Sequence, residues 1–509
     1  MSITETEHSV RSEPGARNSL RSFVLRLHFY AGVFVGPFLL IAAVSGGLYA
    51  VAPTVEQWVY RNYLQVSSSG PALPVADQVR AAEQVRPDLT VAAVRPAVEP
   101  GESTRVMFTD PSLGPSLRQA VFVDPASAES LGELAVYGNS GALPLRTWID
   151  QLHRSLHLGD PGRVYSELAA SWLGIIALGG LYLWVSRYRR MRAQGSPKAR
   201  VLTTDRTAQG RQRTLNWHGV VGIWIAAGLL FLSATGLTWS MYAGANITEL
   251  RSALSWTTPT VSKTLPGAVE DSDAAGSGHD GHDHGAAPAA DPATASAPRV
   301  DDVDRVLAAA RAHGIDGKVE VSIPSDATTA FTVAQTRQPW VMSTSTVAVD
   351  GATGAITDVT WFADWPLAAK LAAWGIQLHM GLLFGLANQL VLVALAVALV
   401  TVIVRGYLMW WRRRPTRDGA LVGRAPRRGA LSTLPPGAAV AVVAAAVAIG
   451  WFVPLLGISL AAFVVVDVII WILQSRQRNS SALTDTPRAY PGGAGQTTRS
   501  DTHGAEVLD

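Results

Sequence analysis

Apolar residues in this chain fall into long unbroken runs, not into the alternation of strands or the three-to-four spacing of surface helices. The runs occupy 23–50, 164–186, 216–243, 377–411 and 437–474. Each meets or exceeds the roughly 20 residues that a helix needs to cross a hydrocarbon core of about 30 Å. The last is too long for one crossing, and Pro454 divides it, which predicts a helical hairpin and about six spans in all. Two long polar stretches, 52–160 and 244–376, separate the spans. Each reads as a small α+β module. The first has a helix over 74–85, then strands ending in Val121-Phe-Val-Asp124-Pro-x-Ser; the second has a helix over 300–312, then strands ending in Val347-Ala-Val-Asp350-Gly-x-Thr-Gly354.

Composition agrees with a polytopic α-helical membrane protein: 48% of the 509 residues are hydrophobic and only 16% charged, where a soluble chain carries about 25%. With no cysteine, disulfides, thiolate nucleophiles, iron–sulfur clusters and Cys-ligated zinc are excluded, and metal chemistry falls to histidines and carboxylates. Charge sets orientation. Nine basic residues stand against Asp205 in 187–214, and seven against Asp418 in 412–430, so both loops are expected in the cytoplasm. The long loops then lie outside, and both termini lie inside a bacterial cytoplasmic membrane. The net charge of +3 is on this reading a topology signal, and no nucleic-acid partner is expected. Basic residues followed by an apolar run and Ala50-Val51-Ala52 imitate a signal peptide, but a signal core is only about 7–15 residues long. The first run is longer and is read as a retained span.

The expected organisation is a disordered cytoplasmic tail (1–20), span one (21–53), external module one (54–150), span two (151–186) and a basic loop (187–214). Span three (215–243), external module two (244–376), span four (377–411), a second basic loop (412–435), the hairpin (436–474) and a disordered tail (475–509) follow. Matched spacings predict that the first four spans form an internal repeat. His28 precedes Gly46 as His218 precedes Gly236, by 18 residues, and each histidine is followed four residues on by glycine, Gly32 or Gly222. Leu152-His153-x-x-Leu156-x-x-Gly159 matches Leu378-His379-x-x-Leu382-x-x-Gly385, with Gly180 or Gly406 27 residues after the histidine and Trp184 or Trp410 beyond. Both copies start inside, so this is a parallel repeat about an axis along the membrane normal.

The external modules, with a helix, strands and a closing V-x-V-D hairpin, resemble PepSY domains. The L-H-x-x-L-x-x-G pairs, Trp217-His218-Gly219 and Gly406-Tyr-Leu-Met-Trp-Trp-Arg-Arg-Arg414 resemble the PepSY-associated transmembrane family of bacteria over roughly 20–415. That resemblance implies an inner-membrane haem protein of the iron-regulated, ferric-siderophore-reductase type. It also carries the haem-binding role onto His153, His379 and His218.

The residues point the same way. An ionisable side chain in a span is a functional hypothesis by default. Eighteen residues at about 1.5 Å each make five full turns, so His28 and His218 sit at one depth near the cytoplasm, and His153 and His379 form a second pair near the outside. The expectation is two b-type haems, each between two histidines, with Gly32 and Gly222 leaving room for a flat ring. His157, one turn from His153, is an alternative ligand that the repeat disfavours, because it matches Leu383. Trp184, Trp410 and Trp411 read as an interfacial aromatic belt beside snorkelling arginines. His279, His282 and His284, within an Ala/Pro/Asp-rich insert (270–298), suit weak binding of a divalent metal such as Cu(II), Zn(II) or Ni(II).

No nucleotide or flavin motif is visible, so electrons are expected from a cytoplasmic reductase or a membrane quinol, with a ferric chelate as external acceptor. Alternative readings are a PepSY membrane receptor or regulator without enzymatic activity, and a metal or haem transport component.

Overall fold

The computed structural model describes residues 16–114, 116–138, 140–196, 199–265, 299–336, 342–413 and 435–484. Its membrane part begins with α1 (Ala16–Phe34) and α2 (Gly36–Val59). The two are one apolar run interrupted at Val35, because Pro37 has no N–H to give the carbonyl of Val33. The hydroxyl of Tyr407 supplies the missing donor, at 2.7 Å. After the short helix α3 (Arg61–Leu64) come α4 (Val75–Val85), β1 (Thr90–Arg95), β2 (Thr104–Thr109), β3 (Leu117–Val123) and β4 (Ser130–Tyr137). The chain returns through α5 (Pro144–Ser155) and α6 (Asp160–Ala193), then α7 (Gly210–Leu237) and α8 (Ala243–Ala253). Next are α9 (Val303–Ala312), β5 (Val319–Ser322), β6 (Phe331–Gln335), β7 (Thr346–Val349), β8 (Ile356–Thr360), α10 (Leu367–His379) and α11 (Leu386–Trp411).

Among the described residues five helices are long and apolar enough to cross a membrane: Gly36–Val59, Asp160–Ala193, Gly210–Leu237, Leu386–Trp411 and Pro454–Gln474. The break expected at Pro454 is present, between α12 (Pro436–Phe452), a shorter apolar helix, and α13 (Pro454–Thr484). The two helices close on each other at Gly450 and Gly457, where a Cβ on either would meet the opposing backbone. From Leu460 onward α13 belongs to a second compact unit. Its helix continues to Thr484, into a stretch whose polar composition predicted a disordered tail.

In the first unit, α2, α6, α7 and α11 pack around a ring, α6 on α7, α7 on α11 and α11 on α2. Ala43, Ile225, Leu229 and Leu399 form its buried centre. Two buried carboxylates tie this bundle to the elements above it. Glu56 of α2 accepts the Leu143 N–H at the start of α5, at 2.7 Å, and pairs with Arg146 at 3.2 Å. Glu167 of α6 accepts the N–H groups of Tyr242 and Ala243 at the start of α8, both at 2.9 Å.

The sequence suggested two separate modules; their strands instead form one antiparallel eight-stranded sheet, β4-β3-β2-β1-β5-β6-β7-β8. The first strand of each half makes the seam, with Ala93 opposite Ser322 and Val94 opposite Val321. Arg95 and Glu320 form an ion pair across it at 2.6 Å. Joining the halves in this way covers two strand edges that would otherwise be open to pairing with other chains. Helices α4 and α9 cover one face over a core that includes Val79, Phe108, Leu307 and Phe331. Asp304 of α9 accepts the Val75 and Ala76 N–H groups, so one half caps the helix of the other.

Candidate functional site

Four histidines meet in two pairs at opposite ends of the bundle. The pair distal to the sheet is His28 of α1 and His218 of α7. Their ring centres are 6.3 Å apart and their planes are nearly perpendicular, at 83°. The sheet-proximal pair is His153 of α5, set against Gly46, and His379 of α10, set near Gly236. Neither of these last two begins a long span, as the hydropathy pattern suggested. Each closes a short preceding helix, and the motif L-H-x-x-L-x-x-G is the turn from that helix into the next. Its glycines, Gly159 and Gly385, cap α6 and α11 with nearly identical angles, φ 62°, ψ −137° and φ 55°, ψ −133°. That conformation is essentially reserved for glycine.

The hydrogen bonds fix which ring nitrogen is left for a ligand. His28 donates from Nδ1 to the Ile176 carbonyl at 3.0 Å, and His218 donates from Nδ1 to the Val402 carbonyl at 2.9 Å. A carbonyl only accepts, so the proton is on Nδ1 and the Nε2 lone pair is unprotonated. His153 Nδ1 lies 2.9 Å from the Ser45 hydroxyl, and His379 Nδ1 lies 2.7 Å from that of Thr235. Both hydroxyls already donate to carbonyls one turn back, Ser45 to Ile41 and Thr235 to Phe231, each at 2.8 Å. They therefore accept from the imidazoles, and these two rings too carry the proton on Nδ1. All four Nε2 atoms are left as neutral donors of the kind a metal centre requires, each oriented by an outer partner.

Glycines seat the rings. A Cβ at Gly46 would come within 3.0 Å of His153, and one at Gly180 within 3.1 Å of His28; the corresponding contacts are 3.9 Å from Gly236 to His379 and 3.7 Å from Gly406 to His218. The glycines that share a spacing with one histidine thus touch the histidine of the opposite pair. A Cβ at Gly32 or Gly222 would meet nothing within 4 Å, so both positions open onto free space beside the sheet-distal pair. The partners keep constant offsets: 190 residues separate Ser45 from Thr235 as they do His28 from His218, and 226 separate Ile176 from Val402 as they do His153 from His379.

His157 does not join the pairs. It lies in the α5–α6 turn at φ 57° and packs against Trp148, with ring centres 5.0 Å apart and planes tilted by 35°. The tryptophans divide. Trp411 is exposed, as an interfacial residue would be, but Trp184 is buried and donates to the Val201 carbonyl at 2.9 Å. Trp184 fills the place of the side chain that Gly219 lacks: a Cβ there would lie 2.2 Å from the indole. This explains the glycine of Trp217-His218-Gly219 and corrects the aromatic-belt reading of Trp184. His279, His282 and His284 lie outside the described residues. Among the described residues no three His, Asp or Glu side chains are grouped to hold a metal ion on their own.

Reading the sequence alone missed Ser45, Thr235 and Tyr407. The first two were within reach, since each immediately precedes a glycine already singled out. Tyr407 acts at a distance in sequence from Pro37 and left no local signal.

No curated protein matches the chain. The family model of the PepSY-associated TM region matches residues 25–413, from just before His28 to the residue after Arg412, and the chain belongs to that family.

Proposed function

We propose that this protein carries electrons across the bacterial cytoplasmic membrane through two b-type haems, one held by His28 and His218 and one by His153 and His379, and reduces a ferric chelate outside. The observation that carries the reading is the common state of the four histidines, which meet two by two with Nδ1–H engaged and Nε2 left to ligate. The 6.3 Å between the His28 and His218 ring centres also fits one ion held between them. The open space at Gly32 and Gly222 is the room a flat macrocycle needs.

Bound haem would supply one-electron transfer at its iron. The chain's own residues do the rest. The acceptors at Ile176, Val402, Ser45 and Thr235 fix the imidazole tautomers and raise their basicity. The glycine seats set the ring positions, and the apolar bundle excludes water between the two ends.

The constant offsets and the seam between β1 and β5 support an internal duplication, which we set about an axis along the membrane normal, with six spans and the PepSY-like modules outside. On that topology the electron donor, a reductase or a quinol, is cytoplasmic, and the basic flanks of the spans suit an acidic partner. Outside, Fe(III) prefers hard oxygen ligands more strongly than Fe(II) does, so adding one electron to a siderophore-type chelate loosens its iron without destroying the ligand.

A reduced-minus-oxidised spectrum of the purified protein, with haem counted per chain, tests the proposal. Two b-type haems are expected in the wild type and one each in His28→Ala and His379→Ala. A wild type without haem would overturn it and favour a PepSY receptor or regulator.

A further inference from the structure

One charge beside the sheet-distal histidine pair has no counterpart. Arg405 stands on α11 between Val402, whose carbonyl takes the His218 proton, and Gly406, which faces the His218 ring. Its guanidinium lies over the ring of Trp217, the residue directly before His218, 5.4 Å from the centre. Its Nε is buried without a hydrogen-bond partner, and among the described residues Arg405 faces no carboxylate within ion-pair distance. The residue 226 positions earlier is Gly179, which packs against His28. One imidazole of this pair therefore has a cation beside it, and the other a glycine. An arginine inside a span is costly and is retained where it faces a partner or a function, and no acid here offsets it.

We propose that Arg405 is a positioning residue whose fixed charge raises the reduction potential of the group held by His28 and His218. This inference rests on the haem reading above. Reducing iron(III) by one electron lowers the net charge of the centre by one. In a bundle with little water, an adjacent fixed positive charge favours that product far more than it would in solvent. The stacking on Trp217 holds the guanidinium at the site, where a freely snorkelling side chain would carry its charge to the membrane surface. The missing arginine at Gly179 makes the effect one-sided.

The test is a potentiometric titration of the purified holoprotein with dithionite, followed in the visible spectrum. Arg405→Gln should keep both haems but move one midpoint down by about tenfold in the reduction equilibrium, about 59 mV for one electron. The other midpoint should stay in place. Arg405→Lys, which keeps the charge, should titrate as the wild type does. His379→Ala, which retains only the sheet-distal centre, identifies the midpoint that moves. An unshifted midpoint in a two-haem Arg405→Gln protein overturns the role of Arg405 and leaves the haem reading intact. Equal shifts in the Gln and Lys variants also overturn it, because stacking and not charge would then be responsible. If Arg405→Gln yields no holoprotein, Arg405→Lys decides: wild-type midpoints support the role of the charge, and loss of haem refutes it. A wild type without haem overturns both readings.

Discussion

Alanine at Gly46 and at Gly236 is the same substitution at two positions with the same spacing from a histidine, and the structure predicts different outcomes. At Gly46 the new Cβ would lie 3.0 Å from Cε1 of His153, so the ring or the helix must give by a few tenths of an ångström. At Gly236 the distance to Cε1 of His379 is 3.9 Å, an ordinary contact. Either alanine adds about 0.8–1.0 kcal/mol of helix propensity over glycine. Overpacking in a tight interior typically costs about 1–3 kcal/mol, and only Gly46→Ala incurs it. Gly236→Ala should therefore be neutral to stabilising, and Gly46→Ala less stable than Gly236→Ala by about 1–3 kcal/mol. On the two-haem proposal His153 is the displaced ring, and the same energy would lower haem affinity about 5- to 150-fold, at 1.4 kcal/mol per decade. Haem per chain by difference spectrum and thermal unfolding in detergent measure the two effects. Gly180→Ala and Gly406→Ala, at 3.1 Å and 3.7 Å from His28 and His218, repeat the comparison at the other end. Equal haem occupancy in Gly46→Ala and Gly236→Ala, or a larger loss in Gly236→Ala, would refute the assignment of these glycines as seats of the imidazoles.

Three further outcomes follow from the contacts. Ser45→Ala and Thr235→Val remove the acceptors of His153 and His379, and each should weaken haem binding at the sheet-proximal pair about 10- to 100-fold, read by haem titration of the apoprotein; unchanged affinity would show that the hydroxyls do not orient the rings. Glu56→Gln leaves Arg146 buried without its carboxylate and should cost about 3–5 kcal/mol. The double variant Glu56→Gln/Arg146→Met should cost less, and equal losses in thermal unfolding would contradict a buried pair. Asp350 is held below the usual carboxylate range, chiefly by the Thr353 hydroxyl, with help from the Ala352 N–H and Arg299. A carboxyl with a lowered folded pKa stabilises the protein above its unfolded value, near 3.9, and that contribution disappears as pH falls through the folded value. Acid unfolding of the sheet, followed by circular dichroism below about pH 4, should therefore be shallower in Asp350→Asn.

The spans and the histidines were legible in the sequence for one reason: both are imposed by the membrane. Apolar length is a condition of crossing it, and an imidazole in or beside an apolar run stands out against a background that excludes polar groups. Pro454 likewise announced its break, because a missing N–H acts locally. What the sequence concealed depends on which residues become neighbours. Gly46 has the same spacing from His28 that Gly236 has from His218, which made the two glycines look like companions of those histidines; the packing of α5 on α2 gives Gly46 to His153 instead. Trp184 sits beside Arg187, as interfacial tryptophans do, and only the approach of α7 at Gly219 turns it inward. The seam between β1 and β5 was hidden for a related reason. Each half has a hydrophobic face and a short first strand that read as a finished module, and nothing in either strand says which edge it will cover. The offsets of 190 and 226 residues supply the missing rule. Applied to His28 and His153 alone they give only ligand candidates, but applied to the neighbours they pick out Ser45 with Thr235, Ile176 with Val402, and a position where the pattern breaks, Arg405 against Gly179. Where two halves of a chain share a constraint, their matched residues identify what the site requires. An unmatched residue is a place to look for what distinguishes one histidine pair from the other.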